Sequence, residues 1–84
     1  MTKQNIREAI VAALRSVAPE ADAASLDDDE RLRDALDLDS MDFLNFVVAL
    51  HRDLHVDIPE IDYPKMQTLA SAVDYLEGKL APSP

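Results

Sequence analysis

Eighty-four residues allow one small domain, and 17 Asp+Glu against 8 Lys+Arg give it a formal net charge of -9. That sign argues against nucleic acid and against anionic membrane surfaces, both of which attract basic segments, and it calls for partners that present basic patches. With no Cys there is no disulfide, thiolate metal site or cysteine nucleophile, and no apolar run nears the ~20 residues that span a bilayer.

At 48% hydrophobic and 30% charged the chain can still bury a small core. An acidic, monomeric, cytoplasmic single domain is expected. The acidity is uneven: residues 19–42 hold ten acidic and two basic residues, whereas residues 1–18 hold three basic and one acidic.

The first segment reads as an amphipathic helix. Ile6, Ile10, Leu14 and Val17 recur on one face with Ala9 and Ala13 beside them, and Pro19 ends it. Arg7 and Arg15 flank an apolar stretch, but it is too short for a signal h-region. A structural helix is the better reading.

Residues 19–38 read as a long loop, with Asp27-Asp28-Asp29-Glu30 as a solvated charge run and Leu26, Leu32 and Leu36 turned inward to pin it. A second helix is expected from about Ser40 to Leu54. Ile58-Pro59 then breaks the pattern, and Pro64 limits the segment after it to a turn or short helix. The last helix is expected from about Thr68 to Leu76, with Gly78 as its cap and 81–84 as a disordered tail. The fold expectation is all-α: a small four-helix bundle of three main helices and one short one, with a long first loop.

Several apparent motifs fail. His51-Arg52-Asp53-Leu54 begins like a kinase catalytic loop, but Ile58 stands where Asn belongs. His51 and His55 at i, i+4 lack both the Glu of H-E-x-x-H and an evident third ligand, so they read as surface histidines. Asp37-Leu38-Asp39 starts like an EF-hand loop, but Asp42 and Val48 occupy the Gly and terminal Glu positions. Ser40 has no His nearby in sequence for a triad, and no acid/base pair is discernible, so an enzyme ranks last.

There remains Asp37-Leu38-Asp39-Ser40-Met41-Asp42-Phe43-Leu44, which marks a helix N-terminus. Asp39 can cap it, and Asp42 lies three residues on, as in a capping box. The positive end of the helix dipole and free backbone N–H groups then face Ser40, where an esterified phosphate is well tolerated. By itself this stretch reads as an ordinary cap.

Asp39-Ser40-Met41 resembles the Asp-Ser-Leu attachment motif of acyl carrier proteins. Leu36 and Leu38 precede it at the usual spacing, and Phe46, Val47, Leu50 and Leu54 come after it like the buried face of that family's second helix. Val56-Asp57-Ile58-Pro59 is similar to the family's Ile-x-Ile-Pro segment, and Thr68–Leu76 to its last helix. The resemblance covers about residues 6–80, so residues 1–80 read as one carrier-like domain.

The resemblance implies that Ser40 is the attachment point for 4′-phosphopantetheine, donated from coenzyme A by a magnesium-dependent phosphopantetheinyl transferase. The arm's thiol would carry acyl groups as thioesters between loading and synthase enzymes, in fatty acid, polyketide or related lipid biosynthesis, and the chain itself would catalyse nothing. Asp39, Met41, Asp42, Leu44 and Val48 would meet partners: the acids by charge, and the apolar stripe at 41, 44 and 48 by contact. Two alternatives stand beside this. One is an aminoacyl or peptidyl carrier, though the Gly-Gly that often precedes its serine is missing; the other is a non-covalent helical interaction module.

The sequence departs from the family's pattern in places. Asp37 replaces a common Gly, and Phe43 stands where a small or polar residue is frequent. Asn45, His51 and Arg52 occupy places that are acidic in fatty-acid carriers. These differences point to a dedicated pathway rather than housekeeping fatty-acid synthesis.

Overall fold

Thr2 opens the first helix, its hydroxyl accepting the Asn5 N–H at 3.1 Å. In the computed structural model, which describes residues 2–80, that helix is α1, Lys3–Val17. Pro19 stops it, and Ala18 closes it through its N–H to the Leu14 carbonyl at 2.9 Å. One turn, α2, spans Leu32–Ala35. The long helix α3 runs Ser40–Leu54, and α4 runs Leu69–Leu80. Short 3-10 helices occupy Ala23–Ser25 and Glu60–Met66, the latter with Pro64 inside it. The expected tail, 81–84, lies outside the described residues.

The helices converge because their apolar faces must leave water. Ile6, Ile10 and Leu14 are fully buried, and each contributes roughly 1.5–3 kcal/mol by leaving water. They pack α1 against Phe46 and Leu50 of α3 and against Leu69, Ala72 and Leu76 of α4 in one continuous core. Among the described residues the core buries no polar or charged side chain. No helix among them is long and apolar enough to cross a membrane.

The first loop is more structured than a 19–38 loop implies. Leu26, Leu32 and Leu36 are buried, as their spacing predicts, while Asp27 to Glu30 stay exposed. The backbone is stapled to the start of α4: Leu32 N–H donates to Gln67 O at 2.8 Å, and Ala70 N–H to Asp28 O at 3.0 Å. Such backbone pairing across the chain explains why a long connection holds one course.

The last helix starts about where expected and ends later. It begins at Leu69, with Thr68 and Ser71 side chains exchanging cap hydrogen bonds, and continues through Gly78 to Leu80. Gly78 therefore does not cap it. Its φ is not positive, and a Cβ there would meet nothing within 4 Å. Leu80 packs against the core and helps hold the extra turn helical.

Candidate functional site

Ser40 is placed by a turn and a cap. At the end of α2 the chain reverses through Asp37, whose φ of 53° is left-handed, and Leu38 N–H donates back to Arg33 O at 2.9 Å. That 6→1 bond is the signature of a Schellman ending, in which Gly is the usual left-handed residue and Asp tolerates the geometry. Leu36 and Leu38 on either side are buried and anchor the turn.

Asp39 then caps α3. Its carboxylate accepts the Asp42 N–H at 2.8 Å, and the Asp42 carboxylate accepts the Asp39 N–H at 3.3 Å. The expected capping box is present in full. Ser40 is thus the first residue of α3 and exposed. Its N–H and that of Met41 have no carbonyl one turn back, as at any helix start, and they face outward at the positive end of the helix dipole.

Three apolar side chains succeed Ser40 along the solvent side of α3: Met41, 63% exposed, Leu44, 41%, and Val48, 53%. The opposite face is spent on the core through Phe43, Phe46, Val47, Ala49 and Leu50, with Leu54 half-buried at its end. Ile61, 85% exposed, adds an apolar side chain on the Glu60–Met66 segment. The structure therefore brings Asp39, Ser40, Met41 and Asp42 together at one helix end, with Leu44 and Val48 extending from them.

Phe43, out of place in the pattern of the sequence, is buried as a wedge. Its ring meets Phe46 edge-on at 5.8 Å and Tyr63 at 5.6 Å. Beside it lies a pocket of about 330 Å³ lined by Arg33, Ser40, Phe43, Leu44, Glu60 and Tyr63.

Sequence reasoning passes over Arg33. Its guanidinium Nη2 donates to Ser40 Oγ at 3.3 Å and lies 5.9 Å from the centre of the Phe43 ring. The only sequence signal is a basic residue within an acidic segment; the seven-residue separation reaches Ser40 only because the Asp37 turn folds the chain back.

His51 is exposed, as expected of a surface histidine, but it is not free. Its Nδ1–H donates to Val56 O at 2.8 Å and closes the end of α3, where His55 adopts a left-handed φ of 53°. Among the described residues no group of three or more His, Asp or Glu is placed to hold a metal ion.

Comparison with known proteins matches residues 8–76 to the phosphopantetheine attachment site family. The chain is 30% identical to an acyl carrier protein of Micrococcus luteus across 78 residues, covering 89% of this chain and 96% of that protein. It is 36% identical to an acyl carrier protein of Lactobacillus johnsonii across 50 residues, covering 60% of this chain and 62% of that one, less than two thirds of its length. The chain belongs to the acyl carrier protein family, whose prosthetic group is 4′-phosphopantetheine.

Proposed function

We propose that Ser40 is the attachment point of the 4′-phosphopantetheine arm and that the chain carries acyl intermediates in fatty acid, polyketide or related specialised lipid biosynthesis. The observation that carries this reading is the position of Ser40. It is the exposed first residue of a capped helix, within the family match and at the head of an exposed apolar stripe.

These residues fit the group. Ser40 Oγ is accessible to a transferase, and a phosphate esterified to it lies beside free N–H groups at the helix start. Attachment exchanges the phosphoanhydride bond of coenzyme A for a phosphodiester bond to serine. Ser40 Oγ loses its proton to a base on the transferase and bonds to the phosphorus of the coenzyme A phosphopantetheine. The bond to adenosine 3′,5′-bisphosphate breaks, and that fragment leaves with the electron pair. When bound, the arm supplies a thiol that holds an acyl group as a thioester.

The chain's own part is to tether and to be recognised. Asp39 and Asp42 offer negative charge to basic patches on the transferase and on loading and synthase enzymes; Met41, Leu44 and Val48 offer apolar contact. Tethering keeps the cargo at high effective concentration beside each partner. Residues 1–80 act as one monomeric, non-catalytic carrier unit in the cytoplasm.

Coexpression with a broad-specificity phosphopantetheinyl transferase, then intact mass and peptide mapping, tests the assignment. One arm is expected on Ser40, and none on a Ser40→Ala variant that keeps its helical circular dichroism. An arm on Ser16, Ser25 or Ser71 sinks it, and no addition at all favours a non-covalent interaction module.

A further inference from the structure

We propose that Arg33 holds the phosphodiester of the arm, an assignment that rests on the attachment to Ser40 and goes beyond it. Residues 19–42 carry ten acids, yet among the described residues no carboxylate lies within ion-pairing distance of Arg33. The guanidinium turns instead to Ser40 Oγ, 3.3 Å away, on the atom where the phosphate ester forms. A cation left unpaired amid carboxylates and directed at a hydroxyl matches an anion attached to that hydroxyl.

The side chain is exposed, and a second contact favours this pose. Its guanidinium sits over the Phe43 ring, a cation–π contact, and Phe43 is itself fixed by Phe46 and Tyr63. The backbone of Arg33 is fixed as well, because its carbonyl takes the Leu38 N–H that closes the turn into α3. A planar guanidinium with five donors can engage two phosphate oxygens at once while keeping its stack on the ring.

The local charge favours such a cation. Asp37, Asp39 and Asp42 lie within three residues of Ser40, so a phosphodiester adds negative charge where three carboxylates already sit. Two helix N–H dipoles offset this in part, and Arg33 adds the full positive charge that the cap lacks. Pairing with Arg33 also sets the direction in which the arm leaves, toward the pocket that Arg33 shares with Phe43, Leu44, Glu60 and Tyr63.

The test uses the full chain in its unmodified and phosphopantetheinylated forms, with intact mass confirming each. In the wild type, the Arg33 Nε–Hε resonance should shift on modification and exchange more slowly with solvent. The phosphorus resonance should move and narrow in Arg33→Gln, with Arg33→Lys between the two because it keeps the charge without the fork. Circular dichroism of both variants checks that the fold is kept.

An arm present on Ser40 with an unchanged Arg33 resonance, and with the same phosphorus signal in wild type and Arg33→Gln, overturns the Arg33 assignment alone. Absence of the arm from wild-type Ser40 overturns both readings, and the mass measurement shows which case holds.

Discussion

The Tyr75 hydroxyl donates to the Asp62 carboxylate at 2.7 Å, joining α4 to the Glu60–Met66 segment that borders the Ser40 pocket. Lys65 and Lys79 each place an ammonium under 6 Å from the centre of the Tyr75 ring, and Lys65 also pairs with Asp62 at 3.7 Å. Burial, reinforced by the bond to Asp62, pushes the Tyr75 phenol up to about 12, and the same bond holds the Asp62 carboxyl below its ordinary value.

These shifts define two pH windows. A phenol raised from 10 to about 12 stabilises the fold fully below pH 10 and loses that contribution as pH rises toward 12. The lowered Asp62 contributes above the ordinary carboxylate range and loses its share as pH falls through its own value. Tyr75→Phe should lower Tm at neutral pH, and its gap from the wild type should close between pH 10 and 12 and again in acid. Lys3, raised by its hydrogen bond to Asp74, titrates in both proteins and cancels in the difference. A gap that stays constant across both ranges in thermal melts refutes the account.

Two backbone positions carry the wrong residue for stability. Asp37 adopts a left-handed φ of 53° that suits Gly, and Gly78 lies inside α4 with open space where a Cβ would go. Asp37→Gly and Gly78→Ala should each stabilise by about 0.5–1 kcal/mol, or a Tm rise of roughly 2–8 °C in a domain of this size. The positions are distant in the chain and the gains should add. Denaturant melts decide the matter, and a loss of stability in Gly78→Ala would show that α4 does not continue through that residue.

The uneven legibility of the sequence has its origin in the forces that set each feature. The bounds of α3 at Ser40 and Leu54 are readable because its start is written in local chemistry, Asp39 with Asp42, and its faces in the spacing of Phe46, Val47 and Leu50. The exposed stripe of Met41, Leu44 and Val48 comes from the same periodicity. By contrast, α4 overruns Gly78 because Leu80 reaches the core, a tertiary contact that outweighs the weak helix preference of one Gly. Arg33 beside Ser40, Tyr75 on Asp62 and His51 on Val56 are meetings of side chains with groups brought near by folding, which no periodicity encodes.

Asp39 offers a way to separate the fold of the site from its charge. Because it caps α3, reversing its charge would disturb the helix start as well as any docking patch. Asp39→Asn keeps the cap acceptor and removes the charge, so its stability should stay within about 0.5 kcal/mol of wild type; Asp39→Ala should lose about 1 kcal/mol. On the proposed reading, Asp39→Asn still slows arm transfer, more so at low salt, because exposed charges act over the ~8–10 Å screening length. Asp74→Asn is the comparison, since that carboxylate pairs with Lys3 away from Ser40 and should leave transfer rates unchanged. Equal slowing by both variants would place the acidic recognition surface elsewhere.

The face of α3 also bears on which enzymes this carrier serves. Asn45 and Arg52 are exposed there, where a basic docking patch built for carboxylates meets an amide and a second cation. Among the described residues Arg52 pairs only with its neighbour Asp53, at 3.2 Å, a surface contact that leaves the guanidinium exposed. His51 is excluded from the test, because its bond to Val56 O closes the helix and replacing it would confuse docking with stability. Asn45→Glu with Arg52→Glu should therefore raise kcat/KM with housekeeping fatty-acid enzymes. Each surface pair gained is worth ~0–1 kcal/mol, so the two together should give a few-fold to roughly tenfold increase. The Arg52 change removes a cation from the last turn of α3, at a cost of about 0.3–1 kcal/mol, and Arg52→Gln separates that loss from the new attraction. An increase that disappears at high salt marks it as electrostatic. If the wild type is already loaded and elongated as fast as an ordinary fatty-acid carrier, the dedicated-pathway reading falls, while the proposed attachment at Ser40, which is argued from the cap and not from this face, is untouched.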